Sequence, residues 1–468
     1  MLNKTSSGLR SIPFAALTVA LLATPAHGQA TCGSSVGPDV IVGDLIGWSK
    51  FGTVGTISGY AFGTTSCNMG NAVLQWTANS NQHPVIAMNA YRLKGGRFEQ
   101  IGMSWVKHGW GASALNACCT CINPNNFEQL GIGCSDPYDS GTNGNQTGFI
   151  NNGHWVTGLG PRSEINAFNG AFSWPYGTQT QGGDAIYKRV QIQMSDLDPA
   201  QNAGALYFAE AEYITPHDAA VGNNFNNNGY RQFFVGALTS GSYTLSFGVP
   251  TIHRQEAAIQ AWAANDPTVM LVNANVPGEG RFIIGSRVSN NGDGTWHYEY
   301  AVYNMNSDRS GHDFTVTSPP GVTITNVGFH DVPYHSGEPY DGTDWPRVPT
   351  PASVQWSTTD FAINPNANAL RWDTLYNFRF DANTPPRNGD LVLGLFKPGS
   401  PTSLMVNGRT PSRLGDADGN NVVDVNDLLA VITQWGPCPA PPAPCTGDLN
   451  GDGQDNINDL LLVISNWG

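Results

Sequence analysis

The chain has 468 residues, of which 12% are charged, and 36 acidic against 22 basic residues give a formal net charge of −14. An acidic chain without a basic run excludes nucleic acid and anionic membrane surfaces as partners of its bulk. With 55 Gly and 31 Pro, the composition predicts a turn-rich globular protein, and its length suits two or three domains of ~100–200 residues each.

The N-terminus carries Lys4 and Arg10, a largely apolar stretch from Ile12 to Ala23, and the small-residue site Ala26-His27-Gly28. This order predicts a secretory signal peptide over residues 1–28 and a secreted or cell-surface location. The stretch is shorter than the ~20 residues that span a bilayer, and no later stretch is long enough, so no membrane span is expected. All eight Cys follow the signal: Cys32, Cys67, Cys118, Cys119, Cys121, Cys134, Cys438 and Cys445. An even count in an exported chain predicts disulfides, with Cys438 and Cys445 clipping the Pro- and Ala-rich segment between them. The pairing of the other six stays open, and Cys118-Cys119-Thr120-Cys121 is an alternative metal-binding cluster.

Residues 31–235 form a cysteine-containing, β-rich domain. Alternating segments at Val190–Met194 and Leu206–Ile214 predict strands, with turn signals such as the polar tract Asn223–Gly229. Gln255–Ala264 is the one helix-like stretch nearby. Residues 236–398 form a second, sandwich-like region. Its clearest element is a hairpin, Arg281–Ser289 and Thr295–Tyr303 around Asn290–Gly294. Shorter strands are expected at Phe314–Val316, Val322–Val327 and Leu391–Phe396. Regularly spaced strands broken by turns predict a mainly β protein of two sandwich-like regions. Residues 399–413, rich in Gly, Ser and Pro, form the expected linker to a small helical tail at 414–468.

Two constellations in the β-rich part could carry chemistry. His83, Tyr91, Leu93, Lys107-His108, Asp136, Tyr138 and His154 combine imidazoles with Tyr and Asp, a set suited to copper or zinc. The run is similar to the copper core of lysyl oxidase, although the His-x-His pair of that family is absent at His83-Pro84-Val85. The resemblance implies a copper-dependent oxidase with His83, His108 and His154 as ligands; hydrogen-bonded core histidines are the competing reading. Glu210 and Glu212 lie two apart on one strand and so share a face. Such a pair suits the acid/base chemistry of glycoside hydrolysis, or forms part of a solvated face. Asp184, Asp196 and Asp198 fit turns better. Trp76, Trp105, Trp110, Trp155, Trp174 and Tyr176 are either a sugar platform or core. Nucleophile-elbow, phosphate-loop and His-Glu-x-x-His motifs are absent.

The tail carries the strongest signal. Asp416, Asp418, Asn420, Asp424 and Asp427 stand at positions 1, 3, 5, 9 and 12 of a loop followed by Leu-Leu-Ala-Val-Ile-Thr-Gln-Trp-Gly. The pattern returns with Asp448, Asn450, Asp452, Asn456 and Asp459 before Leu-Leu-Leu-Val-Ile-Ser-Asn-Trp-Gly. Alternating oxygens let a short loop wrap a calcium ion, with the backbone carbonyls of Val422 and Gln454 as the position-7 ligands. Position 6 needs a left-handed backbone, which Asn421 and Gly453 suit. These EF-hand-like repeats, with Asp at position 12 and no entry helix, resemble a type I dockerin domain. The resemblance implies two bound calcium ions, a cohesin-like or surface scaffold as partner, and a role for the β-rich region in polysaccharide binding or degradation. Two departures stand out: positions 10 and 11 are Val425-Asn426 and Ile457-Asn458 rather than hydroxyl residues, and Asp455 takes a place where an apolar residue normally packs.

Overall fold

A computed structural model describes residues 31–151, 153–248, 252–335, 337–350, 352–439 and 445–468. The expected signal peptide lies outside the described residues.

The protein is mainly β, built as two sandwiches and a small helical tail. In the first sandwich the long strand Val40–Val54 pairs antiparallel with Ile57–Asn68, which also pairs with Val190–Gln193 and Ser135–Tyr138. The facing sheet runs in the order Ser242–Phe247, Asn228–Thr239, Leu206–Ile214, Val85–Lys94, Arg97–Met103. Val40, Val42, Tyr60, Phe62, Trp76, Ile86, Met88 and Tyr213 fill the space between the sheets. The second sandwich pairs one five-stranded sheet (Met270–Asn275, Arg281–Asn290, Trp296–Asn304, Thr374–Ala382, Ile324–His330) with another (Arg347–Thr350, Ser353–Ser357, Gly311–Thr317, Pro386–Leu395, Ser403–Pro411). Phe282, Tyr298, Tyr300, Phe314, Trp356, Phe378 and Phe380 form its aromatic core.

The two sandwiches meet face to face, and strand periodicity shows how. Along Leu206–Ile214, Tyr207, Ala209, Ala211 and Tyr213 enter the first core, while Phe208 packs in a third cluster with Tyr91, Trp262, Ile283 and Tyr303. Alternate residues of Arg281–Asn290 and Trp296–Asn304 divide in the same way between the second core and this seam. Strands buried on both faces lose the simple in–out alternation of a solvated sheet. At the seam Trp262 lies against Gly285, where an added Cβ would come within 2.8 Å of its ring.

Three local expectations shift. Strand Asn228–Thr239 runs through the boundary placed at 235/236, because the turn at Ser240-Gly241 (φ +51° and +77°) returns the chain into the same sheet as Ser242–Phe247. The helix is shorter than Gln255–Ala264: it spans Gln260–Asn265, and the Ala258 N–H that precedes it donates to Glu210. The segment 399–413 contains an edge strand, Ser403–Pro411, paired with Pro386–Leu395. An edge strand with Pro at its end tolerates this composition.

Candidate calcium and attachment site

The tail begins directly after the edge strand, with no helix before its first loop. Each loop ends in a nine-residue helix, Val425–Thr433 and Ile457–Ser465. Asp424 and Asn456 cap these helices by accepting from the N–H of Asn426 and Asn458, and the position-12 acids complete two capping boxes. Asp427 accepts from Ala417 N–H (2.7 Å) and Asp418 N–H (3.1 Å) through Oδ1, and from Asp424 N–H (2.8 Å) through Oδ2. Asp459 repeats this with Leu449 (2.8 Å), Asn450 (3.0 Å) and Asn456 (2.9 Å). One carboxylate therefore ties each loop's start to its helix. Asn421 and Gly453 hold φ of +74° and +82°, the left-handed conformation expected at position 6.

The donor set fits a hard cation. Carboxylate oxygens of Asp416, Asp418 and Asp427 all lie within 4.8 Å of one another. Asp416 Oδ2 accepts from Asn421 N–H at 2.9 Å, and Asp448 Oδ2 from Gly453 N–H at 2.9 Å, so the backbone curls around the first ligand position in both loops. Burial raises the carboxyl pKa of Asp416 and of Asp448, backbone donors lower it, and the neighbouring acids, Asp427 and Asp459 first among them, raise it further. Crowded carboxylates of this kind are what a divalent ion relieves. Among the described residues, the buried apolar core of the tail is Ala417, Val423, Val431, Leu449 and Val463, with Leu428, Ala430, Leu460 and Leu462 packed against it, small for a domain that must hold itself. Asp455 stands where the first repeat has Val423. Both are fully buried, and neither Asp455 oxygen has a hydrogen-bond partner. Gly447 makes room for it: an added Cβ there would lie 1.6 Å from Asp455 Oδ2.

All eight cysteines are paired: Cys32–Cys119, Cys67–Cys118, Cys121–Cys134 and Cys438–Cys445. This removes the metal reading of Cys118–Cys121. The last bridge clips the inter-repeat segment onto the second loop, where Cys438 N–H donates to Gly453 O at 3.0 Å.

Glu210 and Glu212 share a face, as their spacing predicts, but it is the seam between the sandwiches and both are fully buried. Glu210 Oε1 accepts from Tyr91 Oη (2.8 Å) and Tyr303 Oη (3.1 Å), and its other oxygen accepts from Ala258 N–H. Asp373, from the second sandwich, accepts from Asn89 (2.7 Å), Tyr303 (2.9 Å) and the Arg162 guanidinium (2.8 Å). Arg162 also donates to Ser104 O, Met88 O and Asn89 Oδ1. Burial, then the charge of Asp373, pushes Glu210 up to about 8 and Glu212 well above the ordinary 4.5. Neither Glu212 oxygen has a hydrogen-bond partner, and its burial favours the neutral acid. A glycan cannot reach this pair in this arrangement. Sequence reasoning missed Arg162 and Asp373, and nothing local marks either.

His83 and His108 do come together: Nε2 of His83 lies 3.0 Å from Nδ1 of His108, and His83 Nδ1 is 3.1 Å from Thr77 O. They pack against Phe172, Trp174 and Tyr176, and burial holds both imidazoles well below their ordinary pKa, His83 at about 3. His154 begins the strand His154–Val156; its side chain lies outside the described residues. Among the described residues, no third metal-binding side chain joins the pair. Trp76, Trp105 and Tyr176 are core rather than a sugar platform. Trp76 Nε1 donates to Tyr138 Oη at 2.9 Å.

A search of curated proteins returned no match. Among solved structures the chain is similar to the serine-rich repeat adhesion glycoprotein (Srr1) of Streptococcus agalactiae, at 8% identity over 78% of this chain and 96% of that one, with a TM-score of 0.18. No helix among the described residues is long and apolar enough to cross a membrane. The family model of the dockerin type I domain matches residues 414–466, and dockerins bind calcium and cohesins. The loop–helix repeats at the end of this mainly β chain are a type I dockerin domain.

Proposed function

We propose that the protein is a secreted modular component whose dockerin tail, folded around two calcium ions, attaches the β sandwiches to a cohesin-bearing scaffold in polysaccharide binding or degradation. The observation that carries this reading is the repeated position-12 acid, which joins loop start and helix N-terminus in both repeats and, in the first, belongs to the carboxylate cluster. Asp416, Asp418, Asn420, the Val422 carbonyl, Asp424 and Asp427 hold the first ion. Asp448, Asn450, Asp452, the Gln454 carbonyl, Asn456 and Asp459 hold the second. The first set has four carboxylates and the second three, so the first loop binds more tightly.

The partner-facing surface is apolar. Val425, Leu429, Ile432 and Trp435 form a stripe about half exposed, and Ile457, Leu461, Ile464 and Trp467 repeat it 32 residues on. Contiguous exposed apolar residues on a small domain mark a binding face. This stripe supplies what the missing hydroxyls at positions 10 and 11 do not. Disulfides in both the sandwich and the tail support an oxidising, extracellular setting. Calcium titration of the full chain, followed by capture on immobilised cohesin, tests the reading. Two ions and EDTA-reversible capture are expected; capture unaffected by EDTA contradicts it.

A further inference from the structure

The second sandwich and the dockerin touch through the calcium loops. Asn290 Nδ2 donates to Gly451 O at 3.2 Å, and Gly451 lies so close to Trp296 that an added Cβ would stand 3.0 Å from the ring. A groove of about 530 Å³ is bordered by Ser318, Pro319, Arg387, Arg413, Asn421 and Asn466. That volume is in the range of small-molecule sites.

The two guanidiniums set its chemistry. Arg387 Nε donates to Pro411 O at 3.1 Å, and Arg413 Nη2 donates to the Gly468 carbonyl. These bonds orient both side chains and leave further N–H groups for a ligand. Among the described residues, neither Arg387 nor Arg413 pairs with an Asp or Glu side chain. In a chain of net charge −14, two such cations on one groove select for an anion, and guanidinium matches carboxylate by paired, charge-assisted bonds. The rest of the lining is two amides, two hydroxyls and the apolar Pro319, Pro320, Ala352 and Leu414, suited to sugar hydroxyls and a ring face.

We propose that this groove binds a carboxylate-bearing saccharide, a short run of uronic acid residues. Asn421 couples it to calcium. Asn421 borders the groove while its N–H donates to Asp416 in the first loop. Calcium at that loop neutralises the acids beside the groove and favours the anion, and by reciprocity the saccharide tightens calcium. Only this coupling rests on the calcium reading above.

The test is titration calorimetry of the full chain with a galacturonic acid tetramer, in calcium and in EDTA. The fully methyl-esterified tetramer and a tetraglutamate peptide are the comparison ligands. Binding of the free acid, weakened about tenfold by each of Arg387→Gln and Arg413→Gln and lost on esterification, is expected, with unchanged melting of the variants showing that they fold. No binding of the free acid, equal binding by the Arg387→Gln/Arg413→Gln double variant, or equal or tighter binding of the peptide overturns the proposal. Cohesin capture is read in parallel. Capture without saccharide binding sinks the groove alone, and saccharide binding without capture sinks the attachment reading alone.

Discussion

The seam between the sandwiches and the dockerin tail both concentrate carboxylates, and they resolve them in opposite ways. At the seam Glu210 and Asp373 are met by protein donors: two tyrosines, an asparagine, a backbone N–H and Arg162. Those groups sit between large apolar cores, and the cores stabilise the fold. In the tail the acids are met mostly by N–H groups of their own loops, beside a small buried apolar core. The lesson is that a carboxylate cluster reports function only in relation to what surrounds it. Enclosed by donors it is structure; facing an open loop with spare oxygens it awaits a cation.

The comparison breaks most visibly if position 12 is removed. Asp427→Ala or Asp459→Ala is expected to lose one calcium ion and to unfold its repeat, because loop, cap and ligand fail together, while the sandwiches keep their melting transition. Atomic absorption with circular dichroism checks this. Next in size is Arg162→Met, which leaves Asp373 buried and unpaired and is expected to cost about 3–5 kcal/mol in denaturant unfolding of the sandwiches, with calcium binding unchanged.

Glu212→Gln sharpens the contrast through pH. A carboxyl whose folded pKa lies above the unfolded 4.5 contributes stability that is complete below 4.5 and is lost as pH rises toward the folded value. The variant lacks that loss. Its stability relative to the parent is therefore expected to rise as pH increases above about 4.5, by up to about 1.4 kcal/mol per pH unit. The depressed imidazoles of His83 and His108 and the depressed ammonium of Lys107 act in the opposite sense. They are common to both proteins and cancel in the difference. A difference that stays flat with pH contradicts a neutral Glu212. The smallest effect is Asp455→Val, expected to stabilise the calcium-bound tail by about 1–3 kcal/mol by replacing an unsatisfied carboxyl with the residue the first repeat uses.

The tail was legible in the sequence because the ligands, cap and helix pattern of its first repeat all lie within Asp416–Trp435. The hairpin Arg281–Tyr303 was legible for the same reason. Glu210 was not, because its donors are 119, 48 and 93 residues away at Tyr91, Ala258 and Tyr303. Strand alternation gives the face but not what covers it. The histidine pair was half legible: His83 and His108 meet, yet the ring contacts of Phe172, Trp174 and Tyr176 that make their setting core come from a segment with no periodic signal. The boundary at 235/236 falls inside strand Asn228–Thr239, because the sheet continues beyond it to Phe247.

The central claim is that calcium, rather than the tail's small core, holds the dockerin folded. Hydrogen exchange of the full chain read by mass spectrometry, with calcium and with EDTA, tests it most directly. Loss of amide protection across Val425–Thr433 and Ile457–Ser465 in EDTA, with the sandwich strands unchanged, is the predicted result. Equal protection of both helices in calcium and in EDTA would contradict the account.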